Sequence, residues 1–334
     1  TQEHIKYLNR TYWIILIWKL KTTLKDLYMI NRKKIKKYVF LGDTDSINIE
    51  IIVKSHNFLK EKIQYIVIGN ILEFKKYLIK LKKKISVNEI SDPIKFKNYN
   101  KNFINIFNVE NYYKEKYKNL LNQIKLSNKL SSNTKYDLIT MPINKSIFKK
   151  KLKFIGMTEY LGKLNKCETI MLMYGENFSI IPLTTHINIK DVYKELNVLK
   201  INKKLKTIIN LLNLKRNNLS FKNLIFLCYN PHCGEADTIG GEDKLISQIL
   251  KKNYKSIMGP YPSDSAFINF KKNSLYISTY HDQALIPYKL INKEGFNITL
   301  GLSYRRLSPA HGTAKDIMFK QKSDNTSYLS CMLN

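Results

Sequence analysis

Short apolar runs alternate with longer stretches of helical periodicity along most of the chain. Lys37-Tyr38-Val39-Phe40-Leu41 reads as a strand ending in Gly42-Asp43, and residues 46–59 carry the apolar spacing of a helix. Tyr65-Ile66-Val67-Ile68-Gly69 predicts a second strand, followed by a Lys-rich helix near 71–83. Residues 84–108 are rich in Asn and Lys and read as irregular, and a long charged helix is expected over 109–127. Further strands are read at 136–140, 168–174, 177–184, 223–228 and 274–279, with helices near 188–198 and 203–214. This alternation predicts an α/β protein with a largely buried sheet. No repeat of fixed period and no Pro/Ser/Gly linker occurs. A division into two interleaved sub-domains is therefore placed where the chain would cross between them, near 140–155 and again near the C-terminus. Residues 1–35 read as an extension outside the fold and 36–334 as the folded domain.

Composition changes this picture little. With 334 residues, 44% of them hydrophobic, and 22 Tyr and 15 Phe, there is ample apolar surface to build a core. The net charge of +31 would by itself suggest a nucleic-acid or anionic partner. Only Arg10, Arg32, Arg216, Arg305 and Arg306 are arginines, however, and Arg is the residue whose fork suits nucleic acid. Lys is spread along the chain with Asn, Ile and Tyr, the pattern of A/T-rich coding. A solvated basic surface is the preferred reading, and nucleic acid is not expected as a partner. The four cysteines form no CxxC pair, which fits free thiols in the cytoplasm. The apolar run Trp13-Ile14-Ile15-Leu16-Ile17-Trp18 is far shorter than the ~20 residues a membrane span needs, so no membrane partner is expected.

Candidate chemistry is concentrated in the last third. Seven of the 12 Gly and three of the six His fall between 231 and 312. Asn230-Pro231-His232-Cys233-Gly234-Glu235 follows one predicted strand and Tyr280-His281-Asp282-Gln283 another; Thr184-Thr185-His186 ends an earlier one. Loops after strand ends are where α/β proteins assemble sites. His186, His232 and His281 could share one metal ion with a position left open for substrate. A histidine after a strand is more often a hydrogen-bonded structural residue, and spacing alone leaves both readings open. The GxGxxG dinucleotide fingerprint is absent, which disfavours a Rossmann-type cofactor site.

At these motifs the chain resembles the 4-hydroxythreonine-4-phosphate dehydrogenase family. The resemblance rests on Asn-Pro-His-x-Gly-Glu at 230–235, Gly-Pro-x-Pro-x-Asp at 259–264 and Tyr-His-Asp-Gln at 280–283. It continues in Asn-Ile-Thr-Leu-Gly-Leu at 297–302 and His-Gly-Thr-Ala at 311–314. Gly42-Asp43 to Glu50, Pro142 to Lys145 and Gly156-x-Thr158-Glu159 match upstream, so about residues 36–334 are covered. The resemblance implies an isocitrate/isopropylmalate dehydrogenase-like fold and a homodimer with active sites at its interface. It implies that His186, His232 and His281 bind one divalent metal (Zn, Mg or Co), and that Thr158, Lys289, Asn297 and Arg306 bind a small phosphorylated substrate. His311, Gly312, Thr313 and Ala314 are similar to the loop that holds the adenine of NAD or NADP. The implied reaction is oxidation of 4-phosphooxy-L-threonine, followed by loss of CO₂, in pyridoxal 5'-phosphate biosynthesis. Asp282 and Asp264 are candidates for orienting a ligand or relaying the proton. Several positions depart from the family pattern: Met157 and Asn144 stand where the family has His, Ala310 where it has Asp, and Ser46 and Asn48 where the first loop has glycines. Met157 and Asn144 keep open a related dehydrogenase of another phosphorylated four-carbon hydroxy acid. A decayed enzyme kept as a basic binding protein is the third reading.

Overall fold

The structure is a computed structural model and describes residues 36–148 and 156–334. The expected extension over 1–35 and its apolar run lie outside the described residues. Strands β1 (Lys36–Phe40), β2 (Gln64–Gly69), β3 (Val87–Glu89), β4 (Ile104–Asn108) and β5 (Asp137–Thr140) come from the first part of the chain. They are followed by β6 (Ile170–Tyr174), β7 (Ser179–Pro182), β8 (Asn223–Leu227) and β9 (Ile257–Tyr261). The last three are β10 (Ser274–Ser278), β11 (Phe296–Leu300) and β12 (Arg306–Pro309). They form one sheet in the order β3-β4-β2-β1-β5-β12-β11-β6-β7-β10-β8-β9. Two parallel wings flank an antiparallel centre in which β11 pairs with β12 and β6, and β6 with β7. The expected α/β class is the observed one.

Burial on both faces explains why β1 and β2 read as continuous apolar runs. Val39, Val67 and Ile139 point into one apolar cluster, while Tyr38, Phe40, Ile66, Ile68 and Leu138 point into another on the opposite face. The main helices are α1 (Asn48–Leu59), α2 (Ile71–Leu81), α3 (Lys116–Thr134), α4 (Met157–Leu164), α5 (Val198–Leu212), α6 (Glu242–Asn253), α7 (His281–Ile291) and α8 (Thr326–Leu333). Asn70 caps α2 by accepting from Glu73 N at 2.9 Å, and Asn197 caps α5 by accepting from Lys200 N at 3.1 Å. No described helix is long and apolar enough to cross a membrane.

Several expectations shift. The charged helix expected over 109–127 is α3, Lys116–Thr134. Asn119 holds the preceding loop by bonding Tyr113 N and O, and the buried Ser127, Leu130 and Ser131 carry the helix further. The stretch 84–108 contains β3 and β4, paired in parallel. The helix expected at 188–198 is a single turn, Ile189–Val192, continued by a tighter turn, and α5 begins five residues before the expected 203.

Candidate active site

The antiparallel centre builds the floor of a cleft of about 340 Å³. Register sets Met173 opposite Asn297 and Asn297 opposite Ser308; one row along, Met171 lies opposite Thr299 and Thr299 opposite Arg306. Side chains two apart on a strand share a face, so both rows point the same way. Met171, Met173, Asn297, Arg306 and Ser308 accordingly line the cleft. The start of α4 adds Met157, Thr158 and Glu159, and α7 adds His281, Leu285 and Lys289 at four-residue intervals.

Arg306 is 4% exposed. Its Nε donates to Thr140 Oγ1 at 2.8 Å and its Nη1 to Thr299 Oγ1 at 3.0 Å, with Asn297 Oδ1 at 3.4 Å. Burial lowers its pKa to about 10, so it stays charged at neutral pH. Among the described residues no carboxylate lies within ion-pair distance of it, whereas neighbouring Arg305 pairs with Asp137 at 2.6 Å. A buried cation held only by neutral groups has no charge partner within the fold and can take an anion as one.

His186 and His281 face each other across the cleft mouth, ring centroids 5.6 Å apart. His186 Nδ1 lies 3.0 Å from Glu159 Oε1, and His281 Nδ1 lies 2.7 Å from Asp282 Oδ1. Each carboxylate thereby orients its imidazole and leaves Nε2 as the outward donor atom. Burial by itself would raise the Glu159 carboxyl, but bonds from His186, its own backbone and Thr185 outweigh it and hold the group at about 2. Gly156 permits this arrangement: a Cβ there would lie 2.3 Å from Glu159 Oε2 and 2.9 Å from His186 Cε1.

His232 does not join the pair. It sits in the turn Pro231–Gly234 with φ 50°, its side chain 57% exposed, and Nδ1 3.8 Å from Asp264 Oδ2. Among the described residues no group of three His, Cys, Asp or Glu is placed to hold a metal ion. His186 follows β7 and His232 follows β8, the two strands that flank β10, after which His281 begins α7. Strand order thus brings all three loops to one edge, and the turn at His232 leaves its side chain exposed beside Asp264. The residues present fit a divalent ion through two imidazoles, and the third expected ligand is outside the cluster.

The other predicted residues divide likewise. Thr158, Lys289, Asn297, Arg306, His311 and Gly312 line the cleft. Asp264 and Asp282 are exposed and touch His232 and His281 respectively. Thr313 O accepts from Ile47 N at 3.1 Å, and Lys315 pairs with Asp45 at 3.0 Å, tying the loop after β12 to the start of α1. His311 Nδ1 bonds Gly312 O at 2.9 Å, which leaves Nε2 a buried acceptor without a partner. That orphaned atom fits a hydroxyl or amide of a bound dinucleotide. Of the departures, Met157 and Ala310 line the cleft, while Asn144 accepts from Ser146 N and Oγ and caps the turn Lys145–Phe148. Sequence reasoning assigned no role to Thr140, Thr299 or Glu159. The strand parity that puts Thr299 on the face of Asn297 was the available signal.

A family model described as "Pyridoxal phosphate biosynthetic protein PdxA" matches residues 51–333. The chain belongs to this family. It is 32% identical over 318 residues to the 4-hydroxythreonine-4-phosphate dehydrogenase of a Sulfurihydrogenibium species, covering 89% of this chain and 96% of that one. It is 39% identical over 187 residues to the enzyme of the same name from a Hydrogenobaculum species. That match covers 55% of this chain and 59% of the relative. The fold is that of a 4-hydroxythreonine-4-phosphate dehydrogenase from Klebsiella pneumoniae, with TM-score 0.73 and 24% identity, covering 90% and 98% of the two chains.

Proposed function

We propose that the protein oxidises 4-phosphooxy-L-threonine with NAD or NADP, and that the 3-oxo product loses CO₂ to give 3-amino-2-oxopropyl phosphate. The single observation that carries this reading is Arg306, a buried cation without a carboxylate, on the floor of a cleft that also holds Lys289. The names of the relatives support it.

Arg306 and Lys289 bind the anionic ends of the substrate, Arg306 as a fixed fork and Lys289 as a mobile point charge. Asn297 and Thr158 orient the chain between them. Glu159 and Asp282 keep His186 and His281 in the tautomer that presents Nε2, where a divalent ion would bind. Such an ion, when bound, lowers the pKa of the hydroxyl and polarises the new ketone. The carbinol carbon would give its hydride to the nicotinamide and the hydroxyl its proton to solvent or a carboxylate; the bond to the carboxylate would then break to CO₂, its electron pair entering the ketone as an enolate that takes a proton from solvent. His311, Gly312, Thr313 and Ala314 would hold the dinucleotide, with His311 Nε2 as an acceptor. The homodimer is part of the same proposal. Ile286 and Leu290 are 62% and 75% exposed on α7, which also carries His281 and Lys289, and a partner subunit would cover such a flank.

The test is NADH formation from purified protein with 4-phosphooxy-L-threonine and NAD⁺, before and after chelation and restoration of Zn²⁺ or Mg²⁺. Turnover that is lost and regained with the ion is expected. Absence of turnover by folded, metal-loaded dimer, with turnover of a different phosphorylated four-carbon hydroxy acid, would overturn the substrate.

A further inference from the structure

We infer that Thr299 is a positioning residue that turns Arg306, Asn297 and Thr158 into one group of donors on the cleft floor, selective for a fully ionised phosphate or carboxylate oxygen. The inference rests on the reading of the cleft as the site of a phosphorylated substrate. It begins from the chemistry of Arg306, whose guanidinium has only donors. Every group that bonds it must accept. Thr140 Oγ1, Thr299 Oγ1 and Asn297 Oδ1 all do so, at 2.8, 3.0 and 3.4 Å.

The direction then propagates. Thr299 is 2% exposed, and its oxygen is already used as an acceptor by Arg306. Its partners are Arg306 and Thr158 Oγ1, the latter at 3.0 Å, and Arg306 cannot accept, so on this inference the buried Thr299 hydrogen goes to Thr158. Thr158 therefore accepts, and its remaining hydrogen is free for the cleft it lines. Asn297 behaves alike: with Oδ1 toward Arg306, its Nδ2 is left as a donor. Around Arg306 the floor thus offers Arg306 N–H, Asn297 N–H and Thr158 O–H, while the acceptors of the cleft, Ser308 Oγ (its hydrogen given to Thr140 O at 2.9 Å) and Glu159, lie beside this group of donors. A phosphate or carboxylate oxygen satisfies all three donors, whereas an ammonium or a protonated acid placed on them would bring a further donor that none of the three can accept. Thr299 does not line the cleft and acts through Thr158 and Arg306.

The experiment titrates inorganic phosphate into the full-length protein by calorimetry, with unfolding temperature recorded for each variant. Thr299→Val keeps the shape but not the hydroxyl, and about tenfold weaker phosphate binding is expected. Thr299→Ser should bind within about threefold of the wild type. Thr158→Val should lose a similar factor, and the double variant little more than either single one, because both break one chain. In turnover, Thr299→Val should raise KM with little change in kcat. Undiminished phosphate binding by Thr299→Val, or losses that simply multiply in the double variant, would overturn the inference while leaving the proposed reaction intact. Wild-type protein that binds no phosphate would sink the phosphate reading of the cleft and this inference with it.

Discussion

Asp137 accepts two hydrogen bonds from the Arg305 guanidinium, at 3.1 Å from Nε and 2.6 Å from Nη2, where β5 meets β12. Lys37 reaches the same carboxylate from β1 at 3.1 Å, and its side chain is 1% exposed. The β5–β12 pairing is short, with Arg306 opposite Leu138 and Leu307 opposite Ile139. One carboxylate therefore serves two cations beside the seam that carries Arg306. Asp137→Ala is expected to cost about 3 kcal/mol, because it leaves the buried Lys37 and the half-buried Arg305 without their carboxylate. Urea unfolding measures it, and a loss below about 1 kcal/mol would show that the cluster is screened by solvent.

Arg306→Met should separate stability from binding. The guanidinium is buried without an opposite charge, so its removal should change the unfolding free energy by no more than about 1 kcal/mol. Phosphate affinity should fall at least about a hundredfold. A large drop in stability with binding retained would show that Arg306 serves the fold and not the ligand.

Gly156→Ala places a methyl group against the Glu159–His186 pair. The backbone tolerates it, since Gly156 has an extended φ of −163°. Turnover is expected to fall about a hundredfold through misplacement of His186, with a much smaller change in unfolding temperature. Parallel losses in both would mean that the residue is needed for folding alone.

Met157→His restores the residue that the resemblance leads one to expect at the cleft wall. A gain of about tenfold in kcat/KM for 4-phosphooxy-L-threonine is expected from one regained polar contact. No gain would mean that the thioether wall formed with Met171 and Met173 has settled the substrate differently.

Acid should weaken the fold through His56. It is 1% exposed and bonded through Nδ1 to Tyr65 Oη at 2.7 Å. Burial, seconded by Lys60, lowers its pKa below the ordinary 6.5. The unfolded chain therefore takes up this proton first as pH falls, and the stabilisation, full above 6.5, is lost as the pH passes through the folded value. Melting temperatures of wild type and His56→Gln between about pH 7.5 and about pH 5 should converge on acidification. Parallel curves would remove His56 from the acid response.

Local pattern was enough for the strands near 37–41, 65–69, 136–140, 223–228 and 274–279, each found within two residues of its predicted ends. Burial on both faces demands a continuous apolar run, and such a run is visible within a few positions. β3 and β4 escaped because Asn88, Asn98, Asn100 and Asn105 bond one another and the backbone there, and polar side chains in that role look like loop.

The sequence by itself determined the strands with continuous apolar runs, the fold class and the family, because apolar period and motif spacing are local properties. Only the tertiary structure decided which motifs meet. His186 and His281 come together because β7 and β10 are neighbours, and His232 stays apart although β8 also pairs with β10, because its turn leaves the side chain exposed beside Asp264. The setting of Arg306 was likewise invisible along the chain. Its partner Thr140 lies 166 positions away, and only strand order and register bring a hydroxyl there instead of a carboxylate. That substitution of neutral for charged partners leaves the guanidinium free to hold an anion.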